Sequence, residues 1–184
     1  TGFVIDEASN VAGETQTPLI TRRQYGMGGE TTPVDAITNL LDQTYFPGSA
    51  SFLPALPREE MPDTLAIFPL AQTTMLSCIT EDVEIDQCRL GGFGPQVPAI
   101  AITGIAPLNE KPDPNAPQAT KIVAFGDTDF ATNFYIFSVS NSDMLLNSMN
   151  WLTEDVALAS IRPKTGSFRR LVVTGREMQV IRGL

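Results

Sequence analysis

The sequence predicts an α/β domain whose sheet is mainly parallel and flanked by helices. Two observations favour this fold class. Short apolar runs typical of strands alternate with segments whose apolar residues have helical spacing, and the chain of 184 residues is long enough for one such domain. The 14 prolines and 14 glycines indicate that the domain is rich in loops. We expect a single domain over residues 1–175 and a separate short segment at residues 176–184.

The first half of the chain is divided into short elements. Its apolar runs predict strands at Phe3–Ile5, at Leu19–Thr21, within Thr44–Phe52 and at Thr64–Leu70. Between Pro33 and Leu41 the apolar spacing predicts one or two turns of helix. The proline-containing residues 54–62 predict an exposed linker.

The second half is more regular. Its apolar runs predict strands at Val97–Ile105, Lys121–Phe125 and Leu171–Val173. Three prolines without any periodicity predict a loop at Asn109–Gln118. Leucine and methionine residues spaced three or four apart predict a helix over Asp143–Thr153, in which Trp151 is expected to pack rather than bind a ligand.

The net charge of -9 argues against nucleic acid as a partner, because binding to phosphates needs a basic surface. The charge is uneven: residues 1–161 carry a net -14 and residues 162–184 a net +5. The basic end suits either a juxtamembrane segment beside anionic lipid or a solvated terminal strand. Since the chain opens at Thr1, we expect a fragment of a longer protein. No apolar run reaches the ~18 residues that span a bilayer, so a membrane anchor, if one exists, would lie outside the fragment.

Cys78 and Cys88 lie ten residues apart. In an oxidising compartment this spacing suits a disulfide that closes a hairpin-sized loop, whereas in the cytosol the pair would be two thiols. With no histidine in the chain, the pair does not suit a zinc site, and catalytic sets built on Ser-His-Asp or Cys-His are excluded. Acid–base chemistry by Lys, Asp, Glu, Tyr or Cys stays open. No complete catalytic set, metal site or cofactor site is recognisable in the sequence, and we expect none.

An acidic turn is the strongest candidate for chemistry. Gly126, Asp127, Thr128 and Asp129 directly follow an apolar strand, and two carboxylates at that place could hold a hard cation such as Mg²⁺. The alternative is that Gly126 turns the chain while the carboxylates cap backbone N–H groups. Arg162 is a third candidate: it could bind an anion, or it could pin the chain where it leaves the domain.

A longer pattern surrounds this turn. It consists of the run Ile122–Asn133, then Asn141, Asp143, Asn147, Trp151 and Leu152 at helical positions, then Ala159–Lys164; weaker matches lie upstream at Val4–Asp6, Ala36–Leu40 and Tyr45–Ala50. This pattern resembles the GldG family, the gliding-motility-type auxiliary components of ABC transport systems. We refer to residues 121–164 as the signature segment.

The resemblance implies a flavodoxin-like or class I glutamine-amidotransferase-like α/β fold on the extracytoplasmic side of the bacterial inner membrane, periplasmic or at the cell surface. It also implies a membrane anchor beyond the basic end. The expected partners are the ABC permease and other membrane subunits, and the expected function is non-catalytic binding or scaffolding. The resemblance implies no catalytic residues.

Two other functions are alternatives. A metal-dependent hydrolase would use Asp127 and Asp129, and it would bind a divalent cation between them. An envelope sugar-binding module would need aromatic stacking platforms, and the content of 1 Trp and 3 Tyr disfavours it.

Overall fold

The computed structural model of the chain describes residues 2–26, 32–82, 84–85, 87–88, 94–104 and 120–153. The strands within these ranges are β1 (Phe3–Asp6), β2 (Asn10–Val11), β3 (Glu14–Thr21), β4 (Gln43–Tyr45), β5 (Leu65–Ala71), β6 (Ser77–Thr80), β7 (Ala99–Gly104) and β8 (Thr120–Phe125). The helices are α1 (Asp35–Thr38) and α2 (Asn141–Leu152), and single 3-10 turns lie at Arg22–Gln24, Arg58–Glu60 and Asp129–Ala131.

Among the described strands, every pairing is antiparallel. The strands form a two-stranded sheet β1-β6, a three-stranded sheet β2-β3-β4 and a three-stranded sheet β5-β7-β8. The third sheet is the most regular of them, with β7 in the middle and paired along its whole length to β8.

The prediction of a mainly parallel sheet flanked by helices, flavodoxin-like or amidotransferase-like, is therefore wrong. Parallel strands need a crossover that is usually a helix. In the described ranges there are only two helices, and one of them, α1, has four residues. The apolar runs predicted as strands at Phe3–Ile5, Leu19–Thr21, Thr64–Leu70, Val97–Ile105 and Lys121–Phe125 do form strands. The error lies in their direction, which was inferred from a predicted alternation of strands with helices that the described ranges do not show.

The core lies between the inner face of β5-β7-β8, helix α2 and the part of the chain from β3 to just after β4, which contributes Ile20, Ile37 and Phe46. The helix contributes Met144 and Trp151, which are 0% and 4% exposed. The Phe130 ring stacks at a tilt between the rings of Phe46 and Phe125, at centroid distances of 5.2 and 4.7 Å. The residue that follows the acidic turn is thus part of the core.

One extended segment, residues 49–52, joins the sheets. The amide of Val4 in β1 donates to the carbonyl oxygen of Ser49 at 2.7 Å, and the amide of Phe52 donates to the carbonyl oxygen of Val97 at 2.9 Å. Between these contacts, the amide of Ala50 donates to the carbonyl oxygen of Gly126 at 2.8 Å. The acidic turn is therefore tied to the N-terminal half of the chain by its first residue.

Several predicted elements differ in extent from the observed ones. The helix predicted between Pro33 and Leu41 is the single turn α1, and the strand predicted within Thr44–Phe52 is confined to β4. The loop at Asn109–Gln118, the strand at Leu171–Val173 and the segment 176–184 lie outside the described residues. Of the helices that the described ranges contain, none combines the length and the apolar character that crossing a bilayer requires.

Candidate functional site

The acidic turn begins where β8 ends, and its first carboxylate points inward. Asp127 is 8% exposed, and its two carboxylate oxygens accept hydrogen bonds from the backbone amides of Asp129 at 2.6 Å and Phe130 at 3.1 Å. These amides open the 3-10 turn Asp129–Ala131 and have no partner within the turn itself. Asp127 thus takes the capping role that was the structural alternative.

Burial changes the acidity of this group. Desolvation raises the pKa of Asp127 from 3.8 to about 6, against the opposing effect of the two backbone hydrogen bonds; the charge of Asp129 adds to the rise. A raised pKa in a partly enclosed position is one mark of a functional carboxyl. Here the two amides that hold the carboxylate supply a structural explanation for its burial.

The second carboxylate does not join the first. The side chain of Asp129 is exposed, whereas that of Asp127 is turned to the backbone of the same loop. Across the described ranges, no group of three or more His, Cys, Asp or Glu side chains is arranged to hold a metal ion. The geometry of the described residues offers no support for a cation between Asp127 and Asp129.

Gly126 is needed for a close approach of two chain segments. A Cβ atom at this position would collide with the carbonyl oxygen of Ala50 and would lie 2.9 Å from the Oγ of Ser49. The Gly126 amide also donates to the carbonyl oxygen of Pro98 at 2.8 Å. The glycine therefore lets the turn fit between residues 49–50 and the start of β7.

Two polar residues of the signature segment on α2, Asn141 and Asn147, also form hydrogen bonds to backbone groups elsewhere in the fold. Asn141 is fully buried: its Oδ1 accepts from the amide of Tyr45 at 3.2 Å, and its Nδ2 lies 3.4 Å from the carbonyl oxygen of Phe130. One helical turn and a half further on, Asn147 Nδ2 donates to the carbonyl oxygen of Ile37 at 3.0 Å. These two amides fasten α2 to β4 and to α1.

Trp151 attaches the C-terminal end of the same helix to neighbouring parts of the chain. Its Nε1 donates to the carbonyl oxygen of Pro33 at 2.9 Å, and the ammonium group of Lys121 lies 5.1 Å from the centre of its ring. The distance places Lys121 within the range of a cation–π contact. Trp151 packs in the core, as the sequence predicted.

The segment between the acidic turn and α2 has the opposite pattern of burial. Phe134 and Phe137 are 67% and 73% exposed, although the segment is fixed at two places. The ring of Tyr135 packs edge-on against that of Tyr45 at 5.6 Å, and the amide of Ser140 donates to the carbonyl oxygen of Gln43 at 2.9 Å. Two exposed aromatic rings are thus carried on an anchored piece of backbone.

The two cysteines are joined. Cys78 of β6 and Cys88 form a disulfide with their Cα atoms 5.7 Å apart, inside the usual range for such a bond. The amide of Cys88 donates to the Oε1 of Glu7, which follows β1. The bridged loop is therefore attached both to β6 and to the end of its neighbouring strand.

A buried carboxylate that the sequence did not single out lies in the N-terminal half. Asp6 is 0% exposed and accepts four hydrogen bonds, from the amides of Ala8, Ser9 and Thr74 and from the hydroxyl of Thr74 at 2.6 Å. The pattern Asp-Glu-Ala-Ser after a strand was the available signal, since Asp in that place favours an Asx turn. With four donors around it, Asp6 is a structural carboxylate that joins β1 to the loop before β6.

Of the sequence-predicted site residues, Asp127 and Asp129 share one turn without converging, and Cys78 and Cys88 are bonded to each other. Arg162 lies outside the described residues. Comparison of the chain with protein families, with curated proteins and with solved structures finds no match in any of the three.

Proposed function

We propose that this chain is a non-catalytic binding or scaffolding domain of a membrane-anchored auxiliary component of an ABC-type transport system, of the export or gliding-motility kind. The resemblance of the signature segment to the GldG family supports the kind of system. The binding role is supported by how the described part of that segment distributes its residues between the core and the surface.

The binding role rests on a reversal of the usual burial pattern: polar side chains of the segment are buried and aromatic rings are exposed. Asp127, Asn141 and Asn147 are at most 8% exposed, while Phe134 and Phe137 are exposed by more than 60%. The polar side chains that could perform chemistry are instead hydrogen-bonded to backbone groups. Exposed aromatic rings on a fixed segment are the residues that most often anchor a protein partner.

The proposed location is the extracytoplasmic side of the bacterial inner membrane. The Cys78–Cys88 disulfide supports this, because such bonds persist in oxidising compartments and are rare in the cytosol. The net +5 of residues 162–184 supports a position beside anionic lipid headgroups. In this proposal residues 176–184 lead towards a membrane helix.

The proposed partner is the permease subunit of the ABC system, and the contact is tested by co-purification. The permease and its ATPase are expressed together with a tagged chain in which Phe137 is retained or replaced by Ser. We expect the permease to co-purify with the former and to be lost with Phe137→Ser. The control is Leu53→Ser, because Leu53 is 68% exposed but lies outside the signature segment.

The competing function is a metal-dependent hydrolase built on Asp127 and Asp129. Calorimetric titration of the chain with Mg²⁺, Mn²⁺ and Ca²⁺ separates the two. The binding proposal expects no heat of binding and no gain in melting temperature with any of the three ions. A heat of binding that Asp129→Ala removes would favour the hydrolase.

A further inference from the structure

The sheet β5-β7-β8 has a second face, turned away from the core, which we call the outer face. Its central row consists of Ile67, Ile102 and Ile122, which are direct neighbours across the three strands. Ile67 and Ile122 are 37% and 46% exposed. An antiparallel sheet with one face towards solvent normally carries polar residues on that face. We therefore expect another segment to cover this row.

The rows on either side have the same character. The row that begins at Leu65 ends at Thr120, and the row that begins at Pro69 passes through Ile100 to Ala124. Of the nine positions in the three rows, Thr120 is the polar one and none is charged. The outer face is therefore apolar over the whole sheet. It is open to solvent at Leu65, Ile67 and Ile122, which are 37–46% exposed, whereas Ile100 is buried at 8%.

The size of the outer face decides what kind of occupant it suits. Three strands ~4.8 Å apart and six residues of ~3.4 Å each cover roughly 300 Å². A stable interface between separate proteins needs about 800 Å² on each partner. A tethered segment of the same chain needs less, because its effective concentration near the face is already in the millimolar range.

The chain leaves α2 beside this sheet. The ammonium group of Lys121, in β8, lies 3.4 Å from the carbonyl oxygen of Trp151, and α2 ends one residue later at Leu152. Residues 154–184 follow from that point. A few extended residues, at about 3.4 Å each, suffice to pass from there around the neighbouring strand β8.

The sequence of that segment complements the sheet in both charge and polarity. Arg169–Val173 places two arginines directly before an apolar, β-branched run. At the sheet, the exposed acidic residues Glu59, Glu60 and Asp63 lie two to six residues before Leu65, the first residue of β5, and outnumber the one exposed base beside them, Arg58. We propose that residues 169–174 of this chain dock on the outer face, with Leu171–Val173 against the isoleucine row and the arginines towards the acidic residues.

The proposal does not depend on the ABC-transport function, and it is tested on the full chain by hydrogen–deuterium exchange. We expect the amides of residues 171–174 to exchange at least about tenfold more slowly than in a free peptide of the same sequence. Ile122→Ser is expected to abolish that protection. The matched control is Leu146→Ser, because Leu146 is 51% exposed on α2, which covers the opposite face of the sheet.

A second variant leaves the sheet untouched. Replacing both Arg169 and Arg170 by Glu is expected to reduce the protection of residues 171–174 several-fold, while the amides of α2 remain as protected as in the parent chain. Three results overturn the proposal: unprotected 171–174 amides in the parent chain, protection that Ile122→Ser leaves unchanged, or protection that rises with protein concentration, which would indicate a second copy on the outer face.

Discussion

The carboxylate of Asp127 accepts a hydrogen bond from the amide of Phe130 at 3.1 Å, and the ring of Phe130 lies in the core. A charged residue at the edge of the sheet thus sets the position of an aromatic residue inside the molecule. The residues of the signature segment that look most like a catalytic site are the ones that connect turn, sheet and helix.

Replacing Asp127 by Ala should destabilise the chain. The amides of Asp129 and Phe130 would lose their acceptor, and loss of such a cap costs about 0.5–2 kcal/mol in free energy of unfolding. Asp129→Ala is the control, because Asp129 is exposed and the change keeps its backbone amide; we expect it to alter stability by less than ~0.5 kcal/mol. Urea unfolding at neutral pH measures both, and equal losses would contradict the capping role.

The stability should also depend on pH through Asp127. Burial raises the pKa of this carboxyl to about 6, so between about pH 4 and 6 the folded chain holds a proton that the unfolded chain has released. The stabilising contribution of this bound proton is present below about pH 4 and is lost as the pH rises to about 6, separately from the capping hydrogen bonds. We expect the parent chain to lose stability relative to Asp127→Asn over this interval.

Carbon-13 NMR of the side-chain carboxyls measures the pKa of Asp127 directly. The resonance that disappears in Asp127→Asn should titrate with a pKa of about 6. Titration of that resonance below pH 4 would show that the two amide hydrogen bonds outweigh the desolvation.

Gly126→Ala should be more harmful than a glycine substitution elsewhere. The new Cβ would meet the carbonyl oxygen of Ala50, and overpacking of this kind costs about 1–3 kcal/mol. At Gly94 the equivalent Cβ meets no atom within 4 Å, so Gly94→Ala is the matched control. Thermal unfolding of the two variants compares them, and an unchanged melting temperature for Gly126→Ala would show that residues 49–50 can move aside.

The sequence was sufficient to place individual elements. The runs at 65–71, 99–104 and 120–125 are strands and 141–152 is a helix, because apolar runs and helical spacing report local structure. The direction of the strands could not be predicted in the same way. The outer face makes β5 and β8 apolar at successive positions, and on that criterion they resemble the doubly covered strands of a parallel sheet.

The roles of single residues also divide into those that the local sequence predicts and those that depend on tertiary contacts. The sequence offered capping and cation binding for Asp127 as alternatives. The capping hydrogen bonds are seen only once the backbone amides of Asp129 and Phe130 are placed, and cation binding stays a prediction for the calorimetric titration. Asp6 was missed, since its partner Thr74 lies far along the chain and its contact depends on the tertiary fold. The spacing of Cys78 and Cys88 was informative because a disulfide of this kind closes a local loop.

Reduction of the Cys78–Cys88 disulfide should lower stability. In the chain-entropy description a loop of this length contributes about 2–3 kcal/mol. We expect a reductant to lower the melting temperature of the parent chain and to leave that of the Cys78→Ser, Cys88→Ser double variant unchanged. Two free thiols in the chain purified from an oxidising compartment would contradict both the bond and the proposed location.

The most direct test compares the affinities of two variants for the purified ABC permease. Phe137→Ser removes an exposed ring of the signature segment, and loss of an aromatic anchor at an interface typically costs at least ~2 kcal/mol, a weakening of more than about tenfold. Asp129→Ala alters the acidic turn itself. We predict that Phe137→Ser raises the dissociation constant at least about tenfold with no change in melting temperature, whereas Asp129→Ala binds as the parent chain does. Unchanged affinity for Phe137→Ser together with lost affinity for Asp129→Ala would contradict the binding role assigned to the exposed aromatic residues.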